Sequence, residues 1–154
     1  MLVTQDEIIN IVRKGQQTGK TYVVTNGCFD ILHVGHVRYL QKTKEFADYL
    51  IVMLNSDISV KALKGEGRPI NNEQDRAEIL SALSCVDYVV LFDEKSPAKL
   101  LEDIKPDVYT KGADYTLETL PEKDIVIKNN IKVEFIDFVQ GKSTTNIIKK
   151  SQNI

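Results

Sequence analysis

Apolar residues occur along the chain in short runs of strand length, and between these runs they return every three or four positions among polar residues. The runs "TYVVTN" (21–26), "DYLIVML" (48–54), "VDYVVLF" (86–92), "PDVYT" (106–110) and "IKVEFIDF" (131–138) are rich in β-branched residues and bounded by turn formers, which predicts five buried strands. Thr4 and Glu7 have the spacing of a capping box ahead of Ile8, Ile9, Ile11 and Val12, so a helix is predicted there, ending near Gly15 to Gly19. A second helix is predicted from Gly35 to Lys44, with Val37, Leu40 and then Phe46 turned inward. A third covers 72–84, where Ala77, Leu80 and Leu83 share one face. "SPAKLLEDIK" supplies a Ser cap, a Pro at the first helical position and a fourth helix, and Ser and Thr caps in "KSTTNIIKK" open a last one. "KALKGEGRPINN" (61–72) has no period and is basic, which reads as a functional loop. Strands alternating with helices predict an α/β fold, Rossmann-like and doubly wound, with a mainly parallel five-stranded sheet covered by helices on both faces. Ligands in such folds bind beyond the carboxyl ends of the strands, where strand order reverses.

At 154 residues the chain is one domain in size and buries roughly two-thirds of its unfolded surface without help from a disulfide or metal. Twenty Lys and Arg against twenty-two Asp and Glu leave a net charge of −2, which excludes nucleic acid as a partner but allows a small anion met by local charge. Cys28 and Cys85 form neither a CxxC nor a Cys/His cluster, as expected of a reduced intracellular protein. With no basic leader and no apolar stretch near the ~18 residues a membrane helix needs, no membrane partner and a cytoplasmic location are expected.

Candidate chemistry concentrates in "TNGCFDILHVGHVRYL" (25–40), which holds His33 and His36, the two histidines of the chain. As a zinc site the pair lacks partners, because structural sites take four ligands and catalytic ones three. As two satisfied, partly buried imidazoles it would be ordinary. As a phosphate site it is well placed: it follows the first strand, opens a helix whose amides and dipole favour an anion, and is flanked by Gly27 and Gly35, which leave the backbone open to a ligand. Neither a P-loop nor a GxGxxG fingerprint is present.

"GCFDILHVGH" (27–36) resembles the G-x-F-D-x-x-H-x-G-H signature of the HxGH nucleotidyltransferase superfamily, which includes the cytidylyltransferases and phosphopantetheine adenylyltransferase, and "STTNIIKK" (143–150) resembles its second signature. Within the superfamily, "NSD", "LKGEGRPIN", "EQDRAEILSAL", "VDYVV" and "KGADY" are similar to the adenylyltransferase domains of ADP-heptose synthases. The resemblance runs from about residue 20 to 150. Residues 1–19 are accordingly read as an amino-terminal helix and connection, and 20–154 as the nucleotidyltransferase domain.

The resemblance implies transfer of AMP from ATP to a sugar 1-phosphate, with release of pyrophosphate, to give ADP-heptose for lipopolysaccharide core synthesis. His33 and His36 would donate to triphosphate oxygens, and Lys64 and Thr144 complete the implied catalytic set. Asn26, Gly27, Cys28, Phe29, Asp30 and Gly35 would surround the nucleotide, with Asp30 either orienting the site or capping a turn and Phe29 packing beneath the loop. Ser143, Thr144 and Thr145 would hold the β- and γ-phosphates, and Lys149 is a further basic candidate. Asn55 and Asp57 would touch ribose or base, or simply form a turn. Lys61, Lys64 and Arg76 would bind substrate phosphate. Lys111, Gly112, Asp114 and Tyr115 would lie beside the base. Magnesium (Mg2+) is expected with ATP, held by phosphate oxygens and water rather than a protein cage. A homo-oligomer, dimer or larger, is expected by analogy.

The chain departs from relatives that use CTP and glycerol phosphate, which carry "RTEGISTT" where it has "FVQGKSTT", so their arginine is missing. Glycerol-3-phosphate cytidylyltransferase and FAD synthase remain as alternative activities, and a non-catalytic nucleotide-binding module as an alternative of another class. The 154 residues hold no sugar-kinase domain, so the preceding phosphorylation is expected to reside elsewhere.

Overall fold

The computed structural model describes residues 1–137 and 143–153. The end of the fifth expected strand, Phe138, and the "VQGK" run before the second signature lie outside the described residues, as does Ile154. In chain order the elements are β1 (Leu2–Val3), α1 (Gln5–Gln17), β2 (Tyr22–Gly27), α2 (Val34–Lys44), β3 (Tyr49–Asn55), α3 (Asp57–Lys64), α4 (Glu73–Ser81), β4 (Tyr88–Phe92), α5 (Ala98–Ile104), β5 (Val108–Gly112), α6 (Lys123–Lys128), β6 (Lys132–Ile136) and α7 (Thr144–Gln152).

The sheet has six strands in the order β1-β4-β3-β2-β5-β6, and its strand pairs are parallel. The expected five become six because Leu2 and Val3 add to the edge opposite Val89 and Val90, anchored by the Met1 ammonium, which donates to the Asp87 carbonyl at 3.0 Å. Two residues carry no period, so no pattern announces such a strand.

Three further differences have local causes. Residues 57–64, expected to be turn and loop, form α3: Ser56 caps it by accepting from the Ser59 amide at 3.3 Å, and Gly65 closes it with φ 89, a conformation that only glycine adopts freely. Lys61 and Lys64 therefore sit on the last turn of a helix and not in a loop. Pro97 occupies the N-cap of α5 instead of its first helical position, with the Ser96 hydroxyl accepting from the Ala98 amide at 3.2 Å. The six-residue α6 is too short for a periodic signal.

Alternation along the strands divides the interior into two cores. Tyr22, Val24, Ile51 and Met53 pack with Ile8 and Val12 of α1 and Leu100, Leu101 and Ile104 of α5. Val23, Leu50, Val52 and Leu54 point the other way, onto Leu40 of α2 and Ala77 and Leu80 of α4. Burial on both faces is why β3 reads as an unbroken apolar run. Among the described residues no helix is long and apolar enough to cross a membrane.

Strand order places the site. β3 and β4 lie on one side of β2 while β5 and β6 lie on the other, so the order reverses between β2 and β5. Gly27 and Gly112 are the last residues of those two strands, and a crevice opens beyond them.

Candidate active site

A cleft of about 970 Å³ covers this edge of the sheet, and His33 and His36 line it. His33 is the N-cap of α2, with an extended backbone (φ −136, ψ 173). Its Nδ1 accepts from the Gly35 amide at 3.1 Å, and Nδ1 of His36 accepts from the His33 amide at 3.4 Å. The two imidazoles thus form a reciprocal capping box, a task usually given to Ser or Thr and Glu. Since each Nδ1 accepts, each neutral ring carries its proton on Nε2.

The rings stack at 3.8 Å between centroids, and the Phe29 ring meets His36 edge-on at 5.1 Å. Burial, and then the neighbouring His33, push the His36 pKa down to about 4, so this ring is a neutral donor near neutral pH. Phe29 itself has φ 44, and a Cβ at Gly27 would come within 2.8 Å of its ring. A glycine at 27 is therefore required for Phe29 to close under the histidines.

Asp30 is buried and binds the connection between α3 and α4. Its carboxylate accepts from the amides of Ile70 (2.8 Å to one oxygen) and Asn71 (2.9 Å) and from Nε of Arg68 (2.9 Å), while its carbonyl accepts from Asn71 Nδ2 at 3.0 Å. Burial alone would raise its pKa, but those amides and the guanidinium together hold it below the usual carboxylate range.

Of the other expected residues, Asn26, Gly27, Cys28, Phe29, Gly35 and Asn55 line the cleft. So do Lys64, Lys111, Gly112, Ser143, Thr144 and Thr145. Ser143 caps α7 through a bond from the Asn146 amide at 3.0 Å. The Thr144 hydroxyl donates to the Ile31 carbonyl at 3.0 Å, tying the last helix to the loop between β2 and α2. Asn26 accepts from the buried Tyr109 hydroxyl at 2.6 Å, and Asn55 donates to Ser59 at 2.9 Å. Burial lifts the Cys28 thiol above its ordinary pKa, opposed by Lys64, Arg76 and Arg68.

Arg76 does not reach the cleft. It is 1% exposed, and its guanidinium donates to the carbonyls of Asn71 (2.9 Å), Cys28 (2.8 Å) and Asn55 (2.7 Å) and to Asp57 (2.8 Å). Four of its five N–H groups are thereby committed to the protein, and Asp57 is turned toward it. Lys61 pairs with Glu66 at 3.4 Å and borders a separate small depression, while Asp114 and the exposed Lys149 lie outside the cleft wall.

The cleft also holds residues that the sequence did not single out: Tyr39, Arg68, Lys95, Ser96 and Glu122. Lys95 and Ser96 follow the carboxyl end of β4, and that position is itself a signal. Arg68 belongs to the basic stretch marked as functional. Glu122 had no signal, since only the path of residues 113–121 brings it to β5. There it is 2% exposed, with Oε1 3.9 Å from Lys111 Nζ, and among the described residues Oε2 has no hydrogen-bond partner. Lys111 lies 5.2 Å from the centre of the Tyr115 ring, and burial lowers its pKa against the opposing effect of Glu122 and Asp114.

Residues 24–150 match the model of the cytidylyltransferase-like family. The chain belongs to the cytidylyltransferase-like family. The bifunctional protein HldE of Geobacter metallireducens is 54% identical over 94% of this chain, and that of Campylobacter concisus is 59% identical over 87%. The chain spans 30% and 28% of the length of these relatives. A solved lipopolysaccharide core biosynthesis protein from Thermoplasma volcanium is 31% identical, with a TM-score of 0.62, covering 80% of this chain and 100% of its own. Membership of this family gives the glycine-histidine crevice its context.

Proposed function

We propose that the chain is an adenylyltransferase that joins ATP and heptose 1-phosphate to give ADP-heptose and pyrophosphate. The observation that carries this reading is the imidazole capping box, which fixes Nδ1 of both rings on backbone amides at the order reversal of the sheet, in one cleft with the amino terminus of α7. An oxygen of the sugar phosphate attacks the α-phosphorus of ATP, the new P–O bond forms, and the bond to the pyrophosphate oxygen breaks. No protein nucleophile is needed, so positioning and stabilisation of developing charge supply the rate. The His33 and His36 donors act where negative charge grows, and the capped α7 terminus receives the β- and γ-phosphates.

The flanks of the cleft divide the remaining tasks. Tyr115 offers an aromatic face and Lys111 a donor on the β5 side, which suits the base and ribose. Lys64 and Lys95 on the β3 and β4 side suit a second anion. Magnesium accompanies ATP and neutralises its phosphate charge. It would be carried by phosphate oxygens and water rather than by a protein cage. The resemblance of "KGADY" and "STTNIIKK" to ADP-heptose synthases supports ATP and the heptose acceptor, as does the lipopolysaccharide-related neighbour.

Pyrophosphate release measured with ATP, CTP and GTP crossed against heptose 1-phosphate, glycerol 3-phosphate and FMN tests the reading. Release is expected with ATP and heptose 1-phosphate. Preference for CTP with glycerol 3-phosphate, or for ATP with FMN, would replace it by those activities, and no release with any pair would reduce the chain to a binding module.

A further inference from the structure

Two arginines approach the signature loop, and the structure gives them opposite characters. Arg76 is enclosed and committed to protein acceptors. Arg68 is held by one atom: its Nε donates to Asp30 at 2.9 Å, and among the described residues neither Nη1 nor Nη2 donates a hydrogen bond. Its side chain is 15% exposed and lines the cleft. The carboxylate that seats it is completely covered and fixed by two backbone amides, so the guanidinium cannot swing away without breaking a buried ion pair. A cation so fixed, with its outer edge uncommitted, is prepared for an anion from outside.

The position of that edge identifies the anion. Arg68 shares its flank with Lys64 and Lys95, away from Lys111, Tyr115 and Glu122 on the other side of β2. The triphosphate already has the histidine pair and the start of α7. The reaction brings a second phosphate, a dianion, against an already anionic nucleotide, and without local cations the two substrates would repel each other. A guanidinium grips two oxygens of a phosphomonoester in its fork and leaves the third to attack, which a lysine cannot do.

We infer that Arg68 binds the phosphate of the acceptor substrate and that Asp30 is its positioning residue. This rests on the adenylyltransferase reading above. It assigns to Arg68 the role that the sequence assigned to Arg76, and it makes the covered Asp30–Arg68 pair a determinant of acceptor affinity.

Steady-state kinetics of Arg68→Ala, Arg68→Lys and Asp30→Asn, each with thermal melting, test it. Arg68→Ala should raise KM for heptose 1-phosphate by about 10- to 100-fold, the loss of a charge-assisted pair, while KM for ATP changes less than about threefold. Arg68→Lys should recover only part of the loss, and guanidinium ion at millimolar concentration should restore affinity to Arg68→Ala. Asp30→Asn should raise the same KM, and in the double variant the two effects should be less than additive. An equal or larger rise in KM for ATP, full recovery by Arg68→Lys, or additive effects would overturn the assignment. If Arg68→Ala does not fold, the Arg68→Lys comparison decides alone. If the unaltered protein releases no pyrophosphate with any substrate pair, the parent reading fails instead, and heptose 1-phosphate binding by calorimetry to Arg68→Lys and the unaltered chain still decides the role of Arg68.

Discussion

A histidine at an N-cap is unusual because Ser, Thr, Asp or Asn does that work with a smaller side chain. Here Nδ1 of His33 accepts from the Gly35 amide and Nδ1 of His36 from the His33 amide, and each fixed backbone bond sets the direction of Nε2 as well as its protonation. An acceptor-only carboxylate or a freely rotating hydroxyl would not give a directed donor at this place. Two consequences belong to these residues. Replacing either by Ala should lower turnover by about 100-fold or more while leaving ATP affinity much less changed, because the donors act on charge that develops in the transition state. Equal losses in the two would argue for simple binding. The second concerns pH. The unfolded His36 ring titrates near 6.5 and the folded one near 4, so the unfolded chain takes up this proton first as pH falls. The stability that neutral His36 contributes is complete above about pH 6.5 and is lost as pH drops toward 4. Urea unfolding between about pH 7 and pH 4 should therefore show a shallower loss in His36→Gln than in the unaltered chain.

At the scale of elements, the candidate site is assembled by two buried charges that bind other parts of the protein. Asp30 holds the connection before α4 against the signature loop, and Arg76, from α4, reaches the carbonyls at the ends of β2 and β3. Arg76→Met preserves much of the volume but strands those carbonyls and the Asp57 carboxylate, so it should cost about 2–4 kcal/mol of unfolding free energy, measured by denaturant titration. Activity should fall with it because Cys28 and Asn55 lose their anchor. A stability change within about 0.5 kcal/mol would mean that the carbonyls find water instead. What separates Arg76 from Arg68 was invisible in the sequence: both are arginines in or beside a polar stretch, and only the packing of α4 onto β3 decides which guanidinium is enclosed. Lys61 and Lys64 show the same limit. Their turn of α3 ends at Gly65, and three residues of helix send one to the cleft and the other to solvent.

Across the whole molecule, the legible part was the part written by period and by turn chemistry. Long apolar runs announced β2, β3 and β4, the Thr4–Glu7 box announced α1, and the alternation of element types implied the parallel sheet and its carboxyl edge. Glu122 and the edge strand β1 stayed hidden because their places depend on contacts remote in sequence. The joint between α7 and the signature loop is likewise a tertiary fact: α7 buries no residue in the core, yet Ser143, Thr144 and Thr145 line the same cleft as the histidines. α7 therefore adds little to the buried core and supplies part of the lining of the cleft. Thr144→Val isolates this point, since it keeps the side-chain shape and removes the hydroxyl that donates to the Ile31 carbonyl at 3.0 Å. The melting temperature should barely move, because one part-exposed hydrogen bond contributes only about 1 kcal/mol. Turnover should fall by about tenfold or more, because the α7 terminus loses its register against the signature loop and misplacement by about 1 Å is enough to forfeit much of an orientation effect. A Thr144→Ser variant, which retains the hydroxyl, should recover most of that turnover. Failure of Ser to recover it would mean that the methyl group, and not the bond to Ile31, holds α7 in place.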